Sequence, residues 1–330
     1  MKLSDFDYAL PKELIAQYPL QERDTARLLV LDRKRGTIEH RYFKDVADYF
    51  HPGDILVLNN TKVLPSRIIG SRITGGKVEL LLLKQKSGLT FDTLIRPARV
   101  KLKEKIIFNG GKISAEVTAR NEVTFLAKDL EAVYNLGVMP LPPYIKRGSE
   151  DLDTDYYQTV YAKESGSIAS PTAGLHFTEE LIAKIKSRAV DITYVTLHIS
   201  YATFKPVKSE DVAEHKMEKE YFYLSEDAQD NINQARINKA RVIAVGTTSC
   251  RSLETFSAQN KREGYTDLFI YPGYKFGIVN SLITNFHLPK TTLFMLTCAF
   301  AGEKLIKKAY QEAIDKKYRF YSYGDAMLIL

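Results

Sequence analysis

The chain has 330 residues, of which 45% are hydrophobic and 26% are charged, a composition typical of globular proteins and a length that favours two domains. Its formal net charge of +7 permits a nucleic-acid partner without requiring one. No apolar run approaches the ~18–20 residues of a membrane span, and no signal-peptide core opens the sequence. The two cysteines lie far apart, which argues against a disulfide scaffold. We therefore expect a cytoplasmic protein with no membrane partner.

The first 64 residues predict a mixed α/β arrangement. Arg27–Asp32 is a short apolar strand, the Lys34–Gly36 sequence is typical of a turn, and Thr37–His40 returns as a second strand. A third, buried strand is predicted at Ile55–Leu58, directly after a Pro-Gly-Asp turn.

Residues 65–150 change character and favour an all-β domain. Helical periodicity is nearly absent here, and the Asn-Gly-Gly sequence at 109–111 is a strong hairpin signal. Short strand candidates recur along the segment at Lys77–Leu83, Phe91–Ile95, Lys105–Phe108, Lys112–Thr118 and Glu122–Leu126. Regularly spaced short strands predict a small barrel or sandwich, and the segment ends at the rigid, extended linker Leu141–Tyr144.

Residues 151–330 alternate strands and helices. Strands are predicted at Ile192–His198 and Arg241–Val245, and helices at Glu226–Lys239, Ser249–Ser257, Thr291–Phe300 and Glu303–Tyr318. Such alternation implies a mostly parallel sheet flanked by helices. The predicted architecture is therefore an α/β domain built from 1–64 and 151–330, with an all-β domain inserted at 65–150.

Gly166–Phe177 is the segment that packing explains least, because it has neither helical nor strand periodicity. It contains Thr172, Gly174 and His176, residue types that allow close approach to a ligand, hydrogen bonding and proton transfer. Thr178 follows as the predicted N-cap of a helix, and helix N-termini often hold ligands. An ordinary tight turn is the alternative that this pattern leaves open.

A second candidate segment, Val245–Arg251, follows a predicted strand, at the position where open α/β sheets bind ligands. Thr247, Thr248 and Arg251 offer hydroxyls and a cation at the start of a helix. The segment is neither a Walker A loop nor a GxGxxG motif, so nucleoside triphosphates and NAD are disfavoured. A well-capped helix is the alternative interpretation.

Two further segments place polar residues near predicted strand ends. Leu282–Pro289 contains Asn285 and His287 between apolar residues, although a lone buried histidine is more often a structural hydrogen-bonding group. Tyr318–Met327 combines aromatic residues with Asp325, a set that could stack a base or simply form a C-terminal strand.

Arg23 and Asp24, with Arg27 nearby, form a candidate clamp for a carboxylate or phosphate, with a surface salt-bridge cluster as the alternative. The histidines lack HxH and HExxH spacing, so no metal site is predicted, and no GxSxG nucleophile motif occurs. The residues alone thus indicate a ligand-binding α/β enzyme of unspecified substrate.

Unusual stretches follow one another along the whole chain, among them PTAGLHF at 171–177, VGTT at 245–248, FIYPG at 269–273, TNFHLP at 284–289 and YGDAM at 323–327. Together they resemble the S-adenosylmethionine:tRNA ribosyltransferase-isomerase family of queuosine biosynthesis. The resemblance implies an α/β domain with a β-barrel insertion, in agreement with the layout above.

The resemblance also implies a reaction. The family transfers the ribosyl group of S-adenosylmethionine to 7-aminomethyl-7-deazaguanine at the wobble position of a tRNA and rearranges it, giving epoxyqueuosine and releasing adenine and methionine. S-adenosylmethionine is then a consumed substrate, so we expect no cofactor and no metal. The expected partners are that tRNA and S-adenosylmethionine, and we expect a monomer.

This chemistry needs a base for the acidified C5′ protons and an acid for the leaving adenine. We assign His176 as the leading acid–base candidate, with His287 and Asp325 as second candidates. The residues expected to bind substrate are Arg23, Asp24, Thr172, Gly174, Thr247, Thr248, Arg251 and Asn285.

The chain departs from the family pattern at two places. Ser200-Tyr201-Ala202 replaces the usual Gly-x-Gly before Thr-Phe, which removes backbone freedom if either glycine needs positive φ. Glu218 stands where the family has a histidine, which changes charge and proton availability.

Three alternatives follow. The chain could be a divergent relative that binds tRNA or S-adenosylmethionine with altered or no ribosyl transfer. It could be an RNA-binding module that uses the inserted domain, with Lys101, Lys103 and Lys105 as candidate phosphate contacts. An ordinary methyltransferase is disfavoured because no Gly-rich first βα loop is visible.

Overall fold

The computed structural model describes residues 1–204 and 207–330. Its strands are β1 Arg27–Asp32, β2 Thr37–Tyr42, β3 Ile55–Asn59, β4 Thr61–Val63, β5 Arg67–Arg72, β6 Lys77–Ser87, β7 Thr90–Arg96, β8 Lys105–Phe108, β9 Ile113–Ala119, β10 Glu122–Leu126, β11 Gly137–Val138, β12 Glu164–Ser167, β13 Asp191–Leu197, β14 Glu220–Leu224, β15 Val242–Val245, β16 Glu263–Thr266, β17 Ser281–Asn285 and β18 Ala326–Ile329.

The α-helices are α1 Leu130–Tyr134, α2 Asp151–Tyr156, α3 Glu179–Ser187, α4 Glu226–Ile237, α5 Gly246–Gln259, α6 Thr292–Ala301 and α7 Glu303–Asp315. Short 3₁₀ helices lie at Leu3–Phe6, Lys12–Leu14, Arg23–Thr25, Phe43–Tyr49, Asn109–Gly111, Thr172–His176, Tyr201–Phe204 and Val212–Glu214. No helix in the described part of the chain is long and apolar enough to cross a membrane.

A large sheet organises the α/β part, and in the described residues it has nine strands in the order β16-β14-β13-β3-β15-β17-β18-β1-β2. The central strands β13, β3, β15 and β17 run parallel to one another. Antiparallel pairs flank this centre, because β14 runs back beside β13, β18 runs against β17, and β2 forms a hairpin with β1. The sheet is therefore mixed, with a parallel centre.

Both faces of the large sheet are buried, as the strand sequences require. Along β1, Leu29 and Leu31 pack into one core with residues of α4 to α7, whereas Leu28 and Val30 point to the opposite core. That second core contains Leu181 of α3. Because side chains alternate across a strand, apolar residues at successive positions give a strand that helices must cover on both sides.

The inserted strands close into a barrel. β5, β6, β7, β10, β9 and β8 pair in that order, and β5 also pairs with β8, which joins the first strand to the last. Gly70 on β5 makes room for this closure, since an added Cβ would lie 2.4 Å from a ring carbon of Phe108. Closure removes the unpaired edges that an open sheet would expose.

The chain enters and leaves the barrel at one place. β4, which precedes the barrel, pairs in parallel with β12, which follows it. The backbone N–H of Leu64 also donates to the carbonyl of Ser167 at 2.9 Å. The two connections between the barrel and the large sheet thus form a short two-stranded ribbon.

The predicted α/β fold with an inserted β-barrel is confirmed. Most predicted strands and helices occur within a few residues of their expected bounds, including the hairpin at 109–111. The sequence reasoning missed β5, β14 and the edge strand β16. The domain boundaries at 64/65 and 150/151 stay a prediction.

Candidate functional site

A cleft with an empty volume of about 530 Å³ lies at one end of the large sheet, where β3, β13, β15 and β17 finish and β18 begins. Its lining comes from segments 169–173, 246–248, 284–287 and 321–322, with Tyr144, Ile199, Thr203 and Leu293. The structure thus brings together segments that are far apart in sequence, at the sheet edge where open α/β folds bind ligands.

The loop between β12 and α3 forms one wall of the cleft. Ser170 and Thr172 lie on this wall, and the Ser170 hydroxyl is buried with no hydrogen-bond partner among the described residues. Gly174 lies behind the wall, because an added Cβ would be 2.0 Å from the hydroxyl oxygen of Tyr161. Packing against Tyr161 therefore explains glycine at 174. The predicted N-cap that ends the loop is confirmed, since Thr178 Oγ1 accepts from the backbone N–H of Leu181 at 3.1 Å.

His176 ends the short helix Thr172–His176 and is only 5% exposed. Its ring packs on Phe43 with centroids 4.9 Å apart, and its Nε2 has no hydrogen-bond partner in the described part of the chain. Burial lowers the pKa of His176 to about 4; a contact with Asn285 opposes this shift and the charge of Arg319 adds to it. The imidazole is therefore neutral at physiological pH and able to accept a proton.

The N-terminus of α5 forms the floor of the cleft, with Thr247 and Thr248 on its surface. Gly246 makes the turn from β15 into the helix with a φ of +86°. The Asn59 side chain donates to Thr248 Oγ1 at 3.1 Å and to the carbonyl of Leu197 at 3.0 Å, and its Oδ1 accepts from the Leu197 N–H at 3.1 Å. This network fixes the ends of β3 and β13 against a helix N-terminus suited to an anion or a hydroxyl.

Asn285 and His287 close the opposite wall at the end of β17. Asn285 Nδ2 donates to the carbonyl of Tyr321 at 2.8 Å, whereas its Oδ1 is buried with no hydrogen-bond partner among the described residues. His287 Nε2 shares a hydrogen bond of 2.7 Å with Thr284 Oγ1, and burial lowers the pKa of His287 to about 3. Both walls therefore present neutral polar groups.

Tyr321 and Tyr144 give the cleft an aromatic corner. Tyr321 has a φ of 76°, an unusual conformation for an aromatic residue. Its ring meets that of Tyr144 edge to face, with centroids 3.8 Å apart, and the Tyr144 hydroxyl hydrogen-bonds to Ser322 Oγ. Such a corner can stack a nucleobase or pack against its edge.

Asp325 lies behind the cleft. It is 1% exposed, and its carboxylate accepts from the backbone N–H groups of Arg27 at 2.9 Å and Arg319 at 2.8 Å. The carboxylate thereby ties β1 to the loop that precedes β18. Asp325 does not line the cleft in this structure.

Arg251, a predicted substrate-binding residue, is also placed beside the cleft rather than on its surface. It forms a buried ion pair with Glu220 and donates to the carbonyl of Leu268 at 3.0 Å. The other oxygen of Glu220 accepts from the Ser200 N–H at 2.8 Å and from Thr203 Oγ1 at 3.1 Å. The ion pair thus positions the segment that carries Thr203 into the cleft.

Arg23 lines a smaller, solvent-open recess that adjoins the cleft at Ser322 and also contains His176. We call it the side chamber. Its lining is Pro19, Leu20, Arg23, Ala26, Tyr156, Leu175, His176, Ser322, Tyr323 and Gly324. Asp24 lies outside it, in an open surface depression that shares Arg23.

Sequence reasoning missed Asn59, Ser170 and Tyr144. Asn59 gave a usable signal, since it is a polar residue at the end of the apolar run Ile55–Leu58. Within residues 1–204 and 207–330 no group of three or more His, Cys, Asp or Glu side chains is placed to hold a metal ion.

Comparison with known proteins identifies the family. A model of the queuosine biosynthesis protein family matches residues 3–329. The chain belongs to the queuosine biosynthesis protein family. The resemblance inferred from the motifs is confirmed.

Relatives within the queuosine biosynthesis protein family match along their full length. The S-adenosylmethionine:tRNA ribosyltransferase-isomerases of Sulfurihydrogenibium sp. (strain YO3AOP1) and Clostridioides difficile (strain 630) are 53% and 49% identical to the chain, each over 100% of both sequences. Among solved structures, the S-adenosylmethionine tRNA ribosyltransferase of Thermotoga maritima is 35% identical, with a TM-score of 0.58 over 99% of this chain and 100% of that one.

Of the two departures from the queuosine biosynthesis protein pattern, the one at 200–202 lies next to the cleft, between the lining residues Ile199 and Thr203. The Ser200 N–H is held by Glu220, as described above. Glu218 is exposed and does not line the cleft. Glutamate at 218 therefore changes surface charge without placing a carboxylate among the cleft-lining groups.

Proposed function

We propose that this chain is an S-adenosylmethionine:tRNA ribosyltransferase-isomerase. It transfers the ribosyl group of S-adenosylmethionine to 7-aminomethyl-7-deazaguanine at the wobble position of a tRNA and rearranges it, which gives epoxyqueuosine-tRNA, adenine and methionine. The observation that carries the proposal is the identity of 53% and 49%, over complete sequences, to relatives of that name.

The bonds of this reaction balance without an oxidant or a reductant. The C5′–S bond breaks with its electron pair going to sulfur, which discharges the sulfonium. The glycosidic bond breaks with its electrons going to adenine, which takes up a proton. The substrate amine forms the new C–N bond and gives up a proton. C5′ also gives up a proton and bonds to C1′, while the ring oxygen keeps one of its two bonds to ribose carbons and exchanges the other for a bond to C5′, which closes the epoxycyclopentane; one proton is released overall. S-adenosylmethionine is consumed as a substrate, and no resident cofactor is part of the proposal.

The cleft and the adjoining recess, which contains His176, supply groups for each need of this chemistry. His176 is the proposed base for C5′, because its imidazole is buried and neutral with Nε2 unpartnered. The start of α5 suits ribose hydroxyls, and the aromatic corner of Tyr144 and Tyr321 suits a purine or deazapurine ring. His287 is a second proton-transfer candidate on the opposite wall.

The tRNA is the proposed macromolecular partner of a monomeric, cytoplasmic enzyme. The net charge is +7, and Lys101, Lys103 and Lys105 are exposed on the inserted barrel, where they can contact phosphates. Binding of the tRNA should then weaken as salt rises, because each phosphate contact releases a counterion.

The test is an incubation with S-adenosylmethionine and tRNA carrying 7-aminomethyl-7-deazaguanine, followed by mass spectrometry of the digested nucleosides. We expect epoxyqueuosine with one adenine released per product. Folded protein that binds either substrate without forming product would instead establish a divergent relative. Release of S-adenosylhomocysteine would indicate a methyltransferase.

A further inference from the structure

The side chamber contains the Arg23 guanidinium, which forms no ion pair with a carboxylate among the described residues. Arg23 Nη1 donates to the carbonyl of Leu175 at 3.1 Å and Nη2 donates to the carbonyl of Asp155 at 2.7 Å. Its guanidinium lies over the Tyr156 ring at 4.7 Å, and among the described residues it has no ion pair. Burial lowers the pKa of Arg23. A guanidinium has five N–H donors, so Arg23 retains donors for a ligand.

A second unsatisfied donor lies close by. Arg319 Nη1 is buried and has no hydrogen-bond partner in the described part of the chain. The Arg319 backbone packs against Gly324 of the chamber lining, since an added Cβ on Gly324 would lie 2.5 Å from the Arg319 carbonyl oxygen. A buried guanidinium donor is rarely left without an acceptor, so Arg23 and Arg319 together point to an anion that completes this site.

The rim of the chamber narrows the choice of anion. The open depression that shares Arg23 and Tyr156 with the chamber is lined by carboxylates, from Glu22, Asp24, Asp155, Glu179 and Glu180. These charges would repel a phosphodiester chain but would stabilise an ammonium group. The guanidinium inside the chamber can bind a carboxylate, and the carboxylates at its rim can bind an ammonium group. An α-amino acid head group carries both of these groups on one carbon.

We propose that the side chamber holds the methionine head group of S-adenosylmethionine, with its carboxylate on Arg23 and its ammonium toward the acidic rim. The inference rests on the proposed function. It places the sulfonium near the wall formed by His176 and Ser322, and the adenosine in the main cleft, because Ser322 lines both cavities.

Binding in this position also changes His176. A carboxylate beside Arg23 offsets a positive charge that lowers the pKa of His176, so the imidazole becomes a stronger base when the substrate is bound. The head group would then help to activate the group that removes the C5′ proton.

The test compares binding of S-adenosylmethionine with that of its decarboxylated form, which lacks only the carboxylate. Calorimetry is done with saturating tRNA that carries guanine at the wobble position, so that no aminomethyl nucleophile is present. The wild-type protein should bind the decarboxylated form about 10- to 100-fold more weakly. In Arg23→Gln, the affinity for S-adenosylmethionine should fall by a similar factor while the affinity for the decarboxylated form is unchanged. The ratio of the two affinities therefore falls to about one.

Arg33→Gln is the matched control. Arg33 also donates to two carbonyls, those of Phe300 at 2.9 Å and Asn280 at 2.7 Å, and lies 4.1 Å over an aromatic ring, but it is at the opposite end of the sheet. The Arg33→Gln protein should keep the wild-type ratio between the affinities for S-adenosylmethionine and its decarboxylated form. Arg23→Lys should keep part of that ratio.

Other outcomes overturn the inference. Equal binding of the two forms by the wild-type protein, or an Arg23→Gln protein that keeps the ratio and loses tRNA affinity, would assign Arg23 to another ligand. A wild-type protein that does not bind S-adenosylmethionine at all would overturn the proposed function as well. If the affinity ratios are as expected but no product forms with tRNA that carries 7-aminomethyl-7-deazaguanine, only the proposed reaction would be overturned.

Discussion

Glu220 and Arg251 form an ion pair in which the side chains are only 2% and 5% exposed. The pair lies beneath the segment that contributes Thr203 to the cleft, and Glu220 holds that segment through the backbone of Ser200. A charge network that is both buried and adjacent to the cleft couples the stability of the fold to the shape of the site.

Glu220→Gln and Arg251→Gln should each lower the free energy of unfolding by about 3–5 kcal/mol, because each leaves the other charge buried and unpaired. Chemical denaturation measures this loss. The exposed pair of Glu39 and Arg41 is the control, and Glu39→Gln should cost less than about 1 kcal/mol. If Arg251→Gln kept its stability and raised the KM for S-adenosylmethionine, Arg251 would instead bind substrate.

His176→Ala should abolish ribosyl transfer and leave the fold intact, because it removes the buried neutral imidazole that we propose as the base. Product formation by mass spectrometry and the far-UV circular dichroism spectrum are the two measurements. His51 is exposed, and His51→Ala should retain wild-type turnover. Turnover within a few-fold of wild type in His176→Ala would exclude this role.

Acid should destabilise the protein already below pH 6.5. The folded-state pKa values of His176 and His287 are lowered to about 4 and about 3, so both rings stay neutral in the folded protein while the unfolded chain takes up protons near pH 6.5. Below pH 6.5 the unfolded state therefore binds more protons than the folded state. For each ring, the free energy of unfolding then decreases by about 1.4 kcal/mol for every unit by which the pH is lowered.

Denaturation of the wild type between pH 4.5 and 7.5, flanking the ~6.5 pKa of a free histidine, measures this slope. His287→Gln should reduce it by the contribution of one ring, whereas exposed His51→Ala should not. An unchanged slope in His287→Gln would show that His287 does not resist protonation in the folded state.

Gly174→Ala should destabilise the protein by about 1–3 kcal/mol, because the new methyl would lie 2.0 Å from the Tyr161 hydroxyl and 2.9 Å from Thr159 Cγ2. Tyr161→Phe removes the first clash, so the double variant should recover part of the loss. Gly148 has open space around its Cα, and Gly148→Ala should be near neutral. Thermal unfolding of the four variants separates these cases.

Local patterns predicted most of the secondary structure of this chain, because the signals are local. The hairpin between β8 and β9 follows from Asn109 and two glycines, and the structure shows positive φ at all three positions. Arg27–Asp32 was predicted with its observed bounds because its apolar run is continuous. The short strand β14 begins with a buried glutamate and has tyrosines on its more exposed face, so it gives a weaker pattern.

The site was predictable as segments but not as contacts. Patterning singled out His176 and Asn285, yet nothing local indicates that Asn59 reaches Thr248 or that Asp325 turns toward the backbone of Arg27. Those contacts depend on the order of strands in the sheet, which is a property of the whole chain. Arg251 was read as a ligand-binding cation because its buried partner, Glu220, lies 31 residues away in sequence.

The ribbon formed by β4 and β12 makes the barrel a modular part of the protein. The two connections are already paired, and the Leu64 N–H is hydrogen-bonded to the Ser167 carbonyl. The insertion is therefore a closed loop, and its length has little effect on the stability of the large sheet. The barrel can therefore be shortened or exchanged without changing the path of the surrounding chain. Because β4 and β12 are parallel, any replacement has to be a crossover connection and not a brief turn. The inserted domain can thus diverge in sequence while the sheet that holds the cleft remains as it is.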